Sequence, residues 1–381
     1  MDPFKEIIQT NRAWLCLDCG KCSSVCPITI HLVDGYTSPR LLVETAVSSG
    51  EDPVLDDPLL WSCLTCQRCS EICPSLVDFS SFIQDARQIA RNKNLSGDCT
   101  HSGMIQTWGR LMTDPNLSQN RLDWLGGDLR TSKDSDTIYF PGCLPYYQEA
   151  FAGLGIEGIE IARAAVKILN HLGIEPILLE NERCCGHDQF WQGDMENFQR
   201  LAGLNLEIIK ESGAKRIITT CPECAYTLKH TYPEQVGDHG LQVLHLVELL
   251  EQSGFASEGR AEARIENGSA TYQDPCRLGR FSGIYQQPRD LIRQSGYELV
   301  EMDHNRQSSI CCGTSCWSTC GQVNKKIQSE RLSEARSTGA DILITTCIKC
   351  QIHLKCAQKD PLREEETVQI RDLATIIAET I

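Results

Sequence analysis

Two runs of cysteine near the start of the chain have the spacing of iron–sulfur ligands. Cys16-x2-Cys19-x2-Cys22-x3-Cys26-Pro27 recurs as Cys63-x2-Cys66-x2-Cys69-x3-Cys73-Pro74. Three thiolates so spaced can wrap three corners of a four-iron cube. Where two such runs share a chain, the fourth Cys of each ligates the other cluster. This predicts cluster I on Cys16, Cys19, Cys22 and Cys73, and cluster II on Cys63, Cys66, Cys69 and Cys26. Pro27 and Pro74 bend the chain away after each crossing ligand. Structural zinc commonly takes two separated CxxC pairs and fits complete four-Cys runs poorly.

Two further sets of five lie downstream. Set A is Cys143, Cys184, Cys185, Cys221 and Cys224; set B is Cys276, Cys311, Cys312, Cys347 and Cys350. Each is a single Cys, an adjacent pair followed by Gly, and a CxxC. Adjacent side chains diverge, which suits a multinuclear cluster better than one tetrahedral zinc. Five thiolates also exceed the corners of a cubane. A zinc site with a spare Cys is the alternative that spacing leaves open. Gly186 and Gly313 can take positive φ or let a cluster approach the backbone. The surrounding sequence repeats as well: Gly213–Cys221 matches Gly339–Cys347, and Arg183-Cys184-Cys185-Gly186 matches Ile310-Cys311-Cys312-Gly313. Corresponding Cys are offset by 133, 127 and 126 positions.

These eighteen leave Cys99, Cys316, Cys320 and Cys356 of the 22 cysteines. Cys316 and Cys320 would share a face if that stretch were helical, as a redox pair, an extra ligand or, more simply, as small buried hydrophobes. His187 titrates near neutrality and is a candidate proton donor, or a partner of a cluster sulfur. His353 reads as structural, and Tyr146, Tyr147 and Trp191 as packing or cluster shielding. The run Arg363–Glu366 reads as a solvated surface stretch.

The net charge is −15 over 381 residues, which argues against a broad nucleic-acid surface. The cysteine content excludes a small secreted disulfide scaffold, since the chain is long and 41% hydrophobic. Its start lacks the basic and apolar regions of a secretory signal. With no apolar run near 18 residues, it does not span a membrane by itself. A cytoplasmic, reducing location is expected, with any membrane association made through a partner subunit. No phosphate-binding glycine motif, nicotinamide fingerprint or flavin signature is present, so electrons must arrive from another protein.

These ligands need positioning elements. Helix–Gly–strand alternation predicts parallel sheets covered by helices. Helices are expected over Glu160–Leu172, Glu196–Ser212 and Asn324–Ser337. Strands are expected over Ile174–Leu179, Arg216–Thr220 and Asp341–Thr345, with Pro176 weakening the first. The CxxC pairs then fall just past strand carboxyl ends, where open α/β sheets bind ligands. The N-terminal part reads as helical, with Ser38-Pro39 starting Arg40–Val47, another helix over Ser80–Asn92, and one or two helices in the spacer Pro27–Ser62.

The N-terminal segment resembles the α-helical ferredoxin modules of succinate-dehydrogenase-type and heterodisulfide-reductase-type proteins. The doubled five-Cys pattern resembles the tandem CCG domain of heterodisulfide reductase catalytic subunits, and the order is that of the fused form. The resemblance implies an α/β C-terminal module of two Rossmann-like CCG units behind a mainly α-helical two-cluster ferredoxin domain. The corresponding division is 1–98 ferredoxin, 99–135 linker, 136–260 repeat A and 261–381 repeat B.

The resemblance further implies two cubane and two noncubane [4Fe-4S] clusters, sets A and B each holding one of the latter. The expected reaction is that of CoB-CoM heterodisulfide reductase, with a small disulfide cleaved between the noncubane clusters. A flavin-containing or cytochrome-type donor subunit of a multi-subunit complex would supply the electrons. An electron-transfer subunit without disulfide chemistry is the second reading. One departure bears on the choice: the family reads Asp-Pro-Cys-His, with that His a proposed proton donor, and this chain has Asp274-Pro275-Cys276-Arg277. Arg277 stays charged and is a poor acid, suited instead to an anionic substrate or to cluster charge.

Overall fold

The computed structural model describes residues 2–32, 36–255, 267–360 and 367–381. The run Arg363–Glu366 and the boundary expected at 260/261 lie outside the described residues. The chain forms two compact units. The first collects Met1–Leu111, Gly186–Phe198 and Gln307–Arg331; the second collects Met112–Cys185, Gln199–Arg306 and Leu332–Ile381.

The first unit is helical. Pro39–Ser49 begins where Ser38 Oγ accepts the Leu41 amide and Pro39 takes the first helical position. Phe79–Asn92 begins where Asp78 accepts the Ser81 amide. Among its described residues the spacer between the cysteine runs holds four short helices rather than one or two, at Pro27–His31, Pro39–Ser49, Glu51–Leu55 and Pro58–Ser62. Prolines stand at the first position of three of them and cut the segment into short pieces. The stretch expected as a linker contains the helix Met104–Leu111. Phe4, Phe79 and Phe82 pack as the apolar centre.

Arg87, fully buried, is the polar tie of this unit. Its guanidinium donates to the carbonyls of Leu60 (2.7 Å), Trp61 (3.3 Å), Cys63 (2.8 Å) and Trp191 (2.9 Å). It thereby fixes the chain at Cys63 against the segment that follows the first CCG.

The second unit holds two parallel sheets. The first contains β1 (Thr137–Tyr139), β2 (Arg216–Thr219) and β3 (Gln242–His245) in the order β1-β2-β3. The second contains β4 (Ser269–Gln273), β5 (Glu298–Leu299), β6 (Ile342–Thr345) and β7 (Gln369–Asp372) in the order β5-β4-β6-β7. Ile138, Ile217, Ile218, Leu343 and Ile344 are fully buried, because helices cover such sheets on both faces.

The strand expected at Ile174–Leu179 is reduced to a single bridge between Ile177 and Ile138. Pro176 brings no N–H to a ladder at that point. Ile177 nevertheless stands beside β1 as β5 stands beside β4, so the two sheets share one plan. The helices repeat it: Gly158–His171 of repeat A packs on Leu373–Glu379 of repeat B, and Leu246–Gln252 on Gln286–Gln294. A helix early in each repeat thus meets the last helix of the other.

Candidate metal centres

In the first unit the cysteines of the two runs lie close enough to influence one another. Burial pushes the Cys63 thiol up to about 12, and the neighbouring Cys26 and Cys66 push the same way. Cys69 is raised well above an ordinary thiol by burial and by Cys66, Cys26 and Cys63. Cys22 is raised by burial and by Cys16 and Cys73. Cys26 therefore lies among Cys63, Cys66 and Cys69, while Cys73 lies with Cys16 and Cys22. Backbone amides of Thr65 and Val77 point at the Cys63 and Cys73 sulfurs, each at 3.4 Å. Cys19 is exposed.

Set A lies wholly in the second unit. The Cys224 and Cys185 sulfurs stand 3.4 Å apart. Burial and the mutual influence of Cys184, Cys185, Cys221 and Cys224 raise the Cys185 and Cys224 thiols well above the ordinary range. Cys143 packs in one cluster with Cys184. A Cβ on Gly142 would meet the Cys224 sulfur at 2.9 Å, so the loop carrying Cys143 closes directly over the CxxC. Cys221 follows β2, and its amide is held by Thr219 Oγ1 at 3.2 Å.

This loop is anchored by a buried ion pair that sequence reading missed. Glu182 Oε1 accepts the Gly142 amide (2.9 Å) and the Arg121 guanidinium (2.7 Å), and Arg121 also reaches the Gly142 carbonyl (2.7 Å). Burial pushes the Glu182 carboxyl up to about 8, against the pull of Arg121. Repeat B has a counterpart. Asp274, two residues before Cys276, takes a two-pronged bond from the fully buried Arg289 at 2.8 and 2.9 Å. No motif marks either pair, because their partners lie 61 and 15 positions away.

Set B is divided. Cys276, Cys347 and Cys350 belong to the second unit, and Cys311 and Cys312 to the first. Gly313, like Gly186, has positive φ, at +87° and +83°. A Cβ would meet Gln328 at 2.7 Å in one case and Phe198 at 2.8 Å in the other. Cys316 and Cys320 do not share a helical face. Cys316 and Trp317 have φ of +52° and +57°, which breaks the helical path. Cys316 is buried, Cys320 and Cys356 are half-buried, and Cys99 is exposed.

Within the second unit the two CxxC turns meet. Glu223, inside the turn of set A, pairs with Lys349, inside the turn of set B, at 2.5 Å, both side chains being largely buried. Tyr226, two residues after Cys224, stacks edge-on with Phe281 at 5.1 Å. The Arg277 guanidinium lies 3.9 Å over Phe281. Tyr139 bonds Thr220 as Tyr272 bonds Thr346, at 3.2 and 2.9 Å. His187, expected as a proton donor, stands in the first unit at 3.1 Å from Asp188. His353 is buried in the helix Ile348–Gln358. Trp191 and Tyr147 are buried and Tyr146 is partly so.

His245 closes β3 against both turns. Its Nε2 faces the Thr220 carbonyl at 3.0 Å and the Thr346 backbone, while Nδ1 accepts the Val247 amide at 3.3 Å. Burial lowers its pKa to about 4. The neutral ring therefore contributes about 3 kcal/mol that is present above pH 6.5 and lost as pH falls through 4. In urea unfolding measured from pH 7 to 4, His245→Gln should lose less stability over that interval than the native chain. Equal losses would show that the ring carries no such linkage.

The donor sets, with buried adjacent thiols, amides aimed at sulfur and closely approaching glycines, fit iron–sulfur groups. Residues 137–229 and 270–355 match the cysteine-rich domain model, CCG, and residues 12–77 match the 4Fe-4S dicluster domain model. The chain belongs to the iron–sulfur proteins that join a dicluster ferredoxin domain to paired CCG domains. It is homologous to a component of dihydromethanophenazine:CoB–CoM heterodisulfide reductase from Methanosarcina barkeri, 29% identical over 271 residues. That match covers 69% of this chain and 63% of the relative, so the chain spans under two thirds of the relative's length.

EtfAB:quinone oxidoreductase from Syntrophomonas wolfei is 28% identical over 256 residues, covering 64% of this chain and 34% of that one. A crystal structure of a hypothetical protein from Helicobacter pylori shares the fold. Its TM-score is 0.54 at 11% identity, over 99% of this chain and 76% of that one. Among the described residues, no helix is long and apolar enough to cross a membrane. The matched domains make this chain an iron–sulfur protein.

Proposed function

We propose that the chain is the disulfide-cleaving subunit of a larger redox complex, related in chemistry to heterodisulfide reductase. The Glu223–Lys349 pair carries this reading, because it sets the CxxC turns of the two five-Cys sets against each other. Two cubane clusters would sit on the N-terminal runs, and two noncubane clusters on sets A and B. The clusters would supply single electrons beside the cysteine sulfurs.

The residues of the chain do the rest. Arg121–Glu182 and Arg289–Asp274 hold the first Cys of each set in place. Arg277, flat on Phe281, keeps a permanent positive charge and binds an anionic disulfide rather than delivering a proton. Electrons would enter beside Cys16, where the flanking Trp14, Leu15 and Leu17 are exposed. That surface suits a flavin-containing or cytochrome-type donor subunit. Arg277 in place of the family's His favours a second reading, electron transfer within a complex without disulfide chemistry.

Anaerobic turnover with reduced viologen and a panel of thiol heterodisulfides tests the choice. Oxidation of the viologen by a disulfide is expected, with about 16 irons per chain, four in each of four clusters. Intact clusters that reduce no disulfide would leave the second reading. Iron near 8 with zinc in sulfur-only surroundings would remove the disulfide reading.

A further inference from the structure

We propose that His187, Asp188 and Cys316 form a mononuclear zinc site, separate from the four iron–sulfur sets. One ligand atom from each lies within 4.8 Å of the other two, and all three residues are buried, at 2%, 7% and 1% exposure. Neither five-Cys set uses any of them. An imidazole, a carboxylate and a thiolate form a donor set that zinc accepts, at bonds of about 2.0–2.3 Å. Tetrahedral geometry at those lengths separates ligand atoms by about 3.3–3.8 Å. The side chains must therefore close by at most about 1.5 Å.

The backbone prepares this arrangement. Gly186 at φ +83° starts the short helix His187–Trp191, which carries His187 and Asp188 side by side. Cys316 lies in a turn with two consecutive non-glycine residues in the left-handed region, at φ +52° and +57°. Such residues are strained and persist where their surroundings impose them. Here the surroundings are polar bonds to the turn's carbonyls. Gln192 donates to the Cys316 carbonyl. Gln106 Nε2 and the Thr100 amide donate to the Trp317 carbonyl at 3.1 and 2.8 Å. The result is a thiol aimed at a His–Asp pair from a strained, tightly held loop.

Zinc here would join the segment after the first CCG to the segment after the second, with both segments in the same unit. It would leave a fourth position for water or a substrate thiolate. His187 then serves as a ligand, and the proton-donor role foreseen for it falls away. A thiolate is required, so binding zinc expels the Cys316 proton.

Anaerobically purified full-length protein, equilibrated with zinc sulfate and desalted, tests the site by metal analysis and zinc K-edge X-ray absorption. The edge is specific to zinc and is read without interference from iron. About one zinc per chain is expected, in a shell of one sulfur with nitrogen and oxygen. Cys316→Ser and Asp188→Asn should each lose most of that zinc while iron content and the ferredoxin EPR signals stay at native levels. Zinc absent from the native protein, zinc kept in both variants, or a sulfur-only shell would overturn the site. Native iron with no zinc removes this site alone and leaves the disulfide reading standing.

Discussion

Cys185→Ala should lose about a quarter of the iron, one cluster of four, and all disulfide reduction, while both ferredoxin-type EPR signals persist. The reason is geometric. The Cys185 sulfur is 3.4 Å from that of Cys224, so its removal opens the centre of set A. The N-terminal sets draw their cysteines from residues 16–73 alone and share no ligand with it. Cys312→Ala should do the same to set B. Loss of the ferredoxin signals in either variant, with the CCG signals kept, would contradict the ligand assignment. Turnover at the native rate with one centre missing would contradict the pairing of the two sets.

Glu182→Ala should destabilise the second unit by about 3–5 kcal/mol, because it removes the carboxylate partner of the buried Arg121 guanidinium. Arg121 and Glu182 side chains are 1% and 0% exposed. The Gly142 amide loses its acceptor in the same step, so the loop bearing Cys143 should loosen. Denaturant unfolding reads the first effect. The second appears as reduced iron in set A even where the variant folds. Glu182→Gln keeps an acceptor for Gly142 and should recover part of the iron. A Glu182→Ala protein with native stability and a full iron load would show that the pair is incidental.

Much of this architecture was legible in the chain, for physical reasons. Iron–sulfur ligands are bound by spacing, so the eighteen candidate cysteines could be picked out from their intervals. The helix that starts at Ser38-Pro39 also read correctly, because a cap is a local interaction. Strands β2 and β6 lay where the repeated Gly-Ala…Thr-Thr-Cys segments put them. The misreadings came from single residues whose effect depends on context. Pro176 reduced an apolar run to one bridge, and positive φ at Cys316 and Trp317 spoiled an apparent helical pair.

The polar anchors were illegible for another reason. Arg121 and Glu182 are ordinary charged residues in the chain, and only folding brings them together. Glu223 and Lys349 were within reach. Opposite charges occupy equivalent places inside two repeated CxxC turns, and setting one repeat against the other exposes the complementarity.

The interrupted path of the helical unit has a consequence for biosynthesis. Its first stretch ends at Leu111, yet Arg87 awaits the Trp191 carbonyl, and the last stretch runs to Arg331. A ribosome releases these pieces in order, with both β-sheets begun in the intervals between them. The helical unit therefore cannot finish its interior until most of the polypeptide has emerged. Maturation factors that deliver iron would meet a nearly full-length nascent chain, and a prematurely terminated product would be left with an exposed arginine and an open apolar seam.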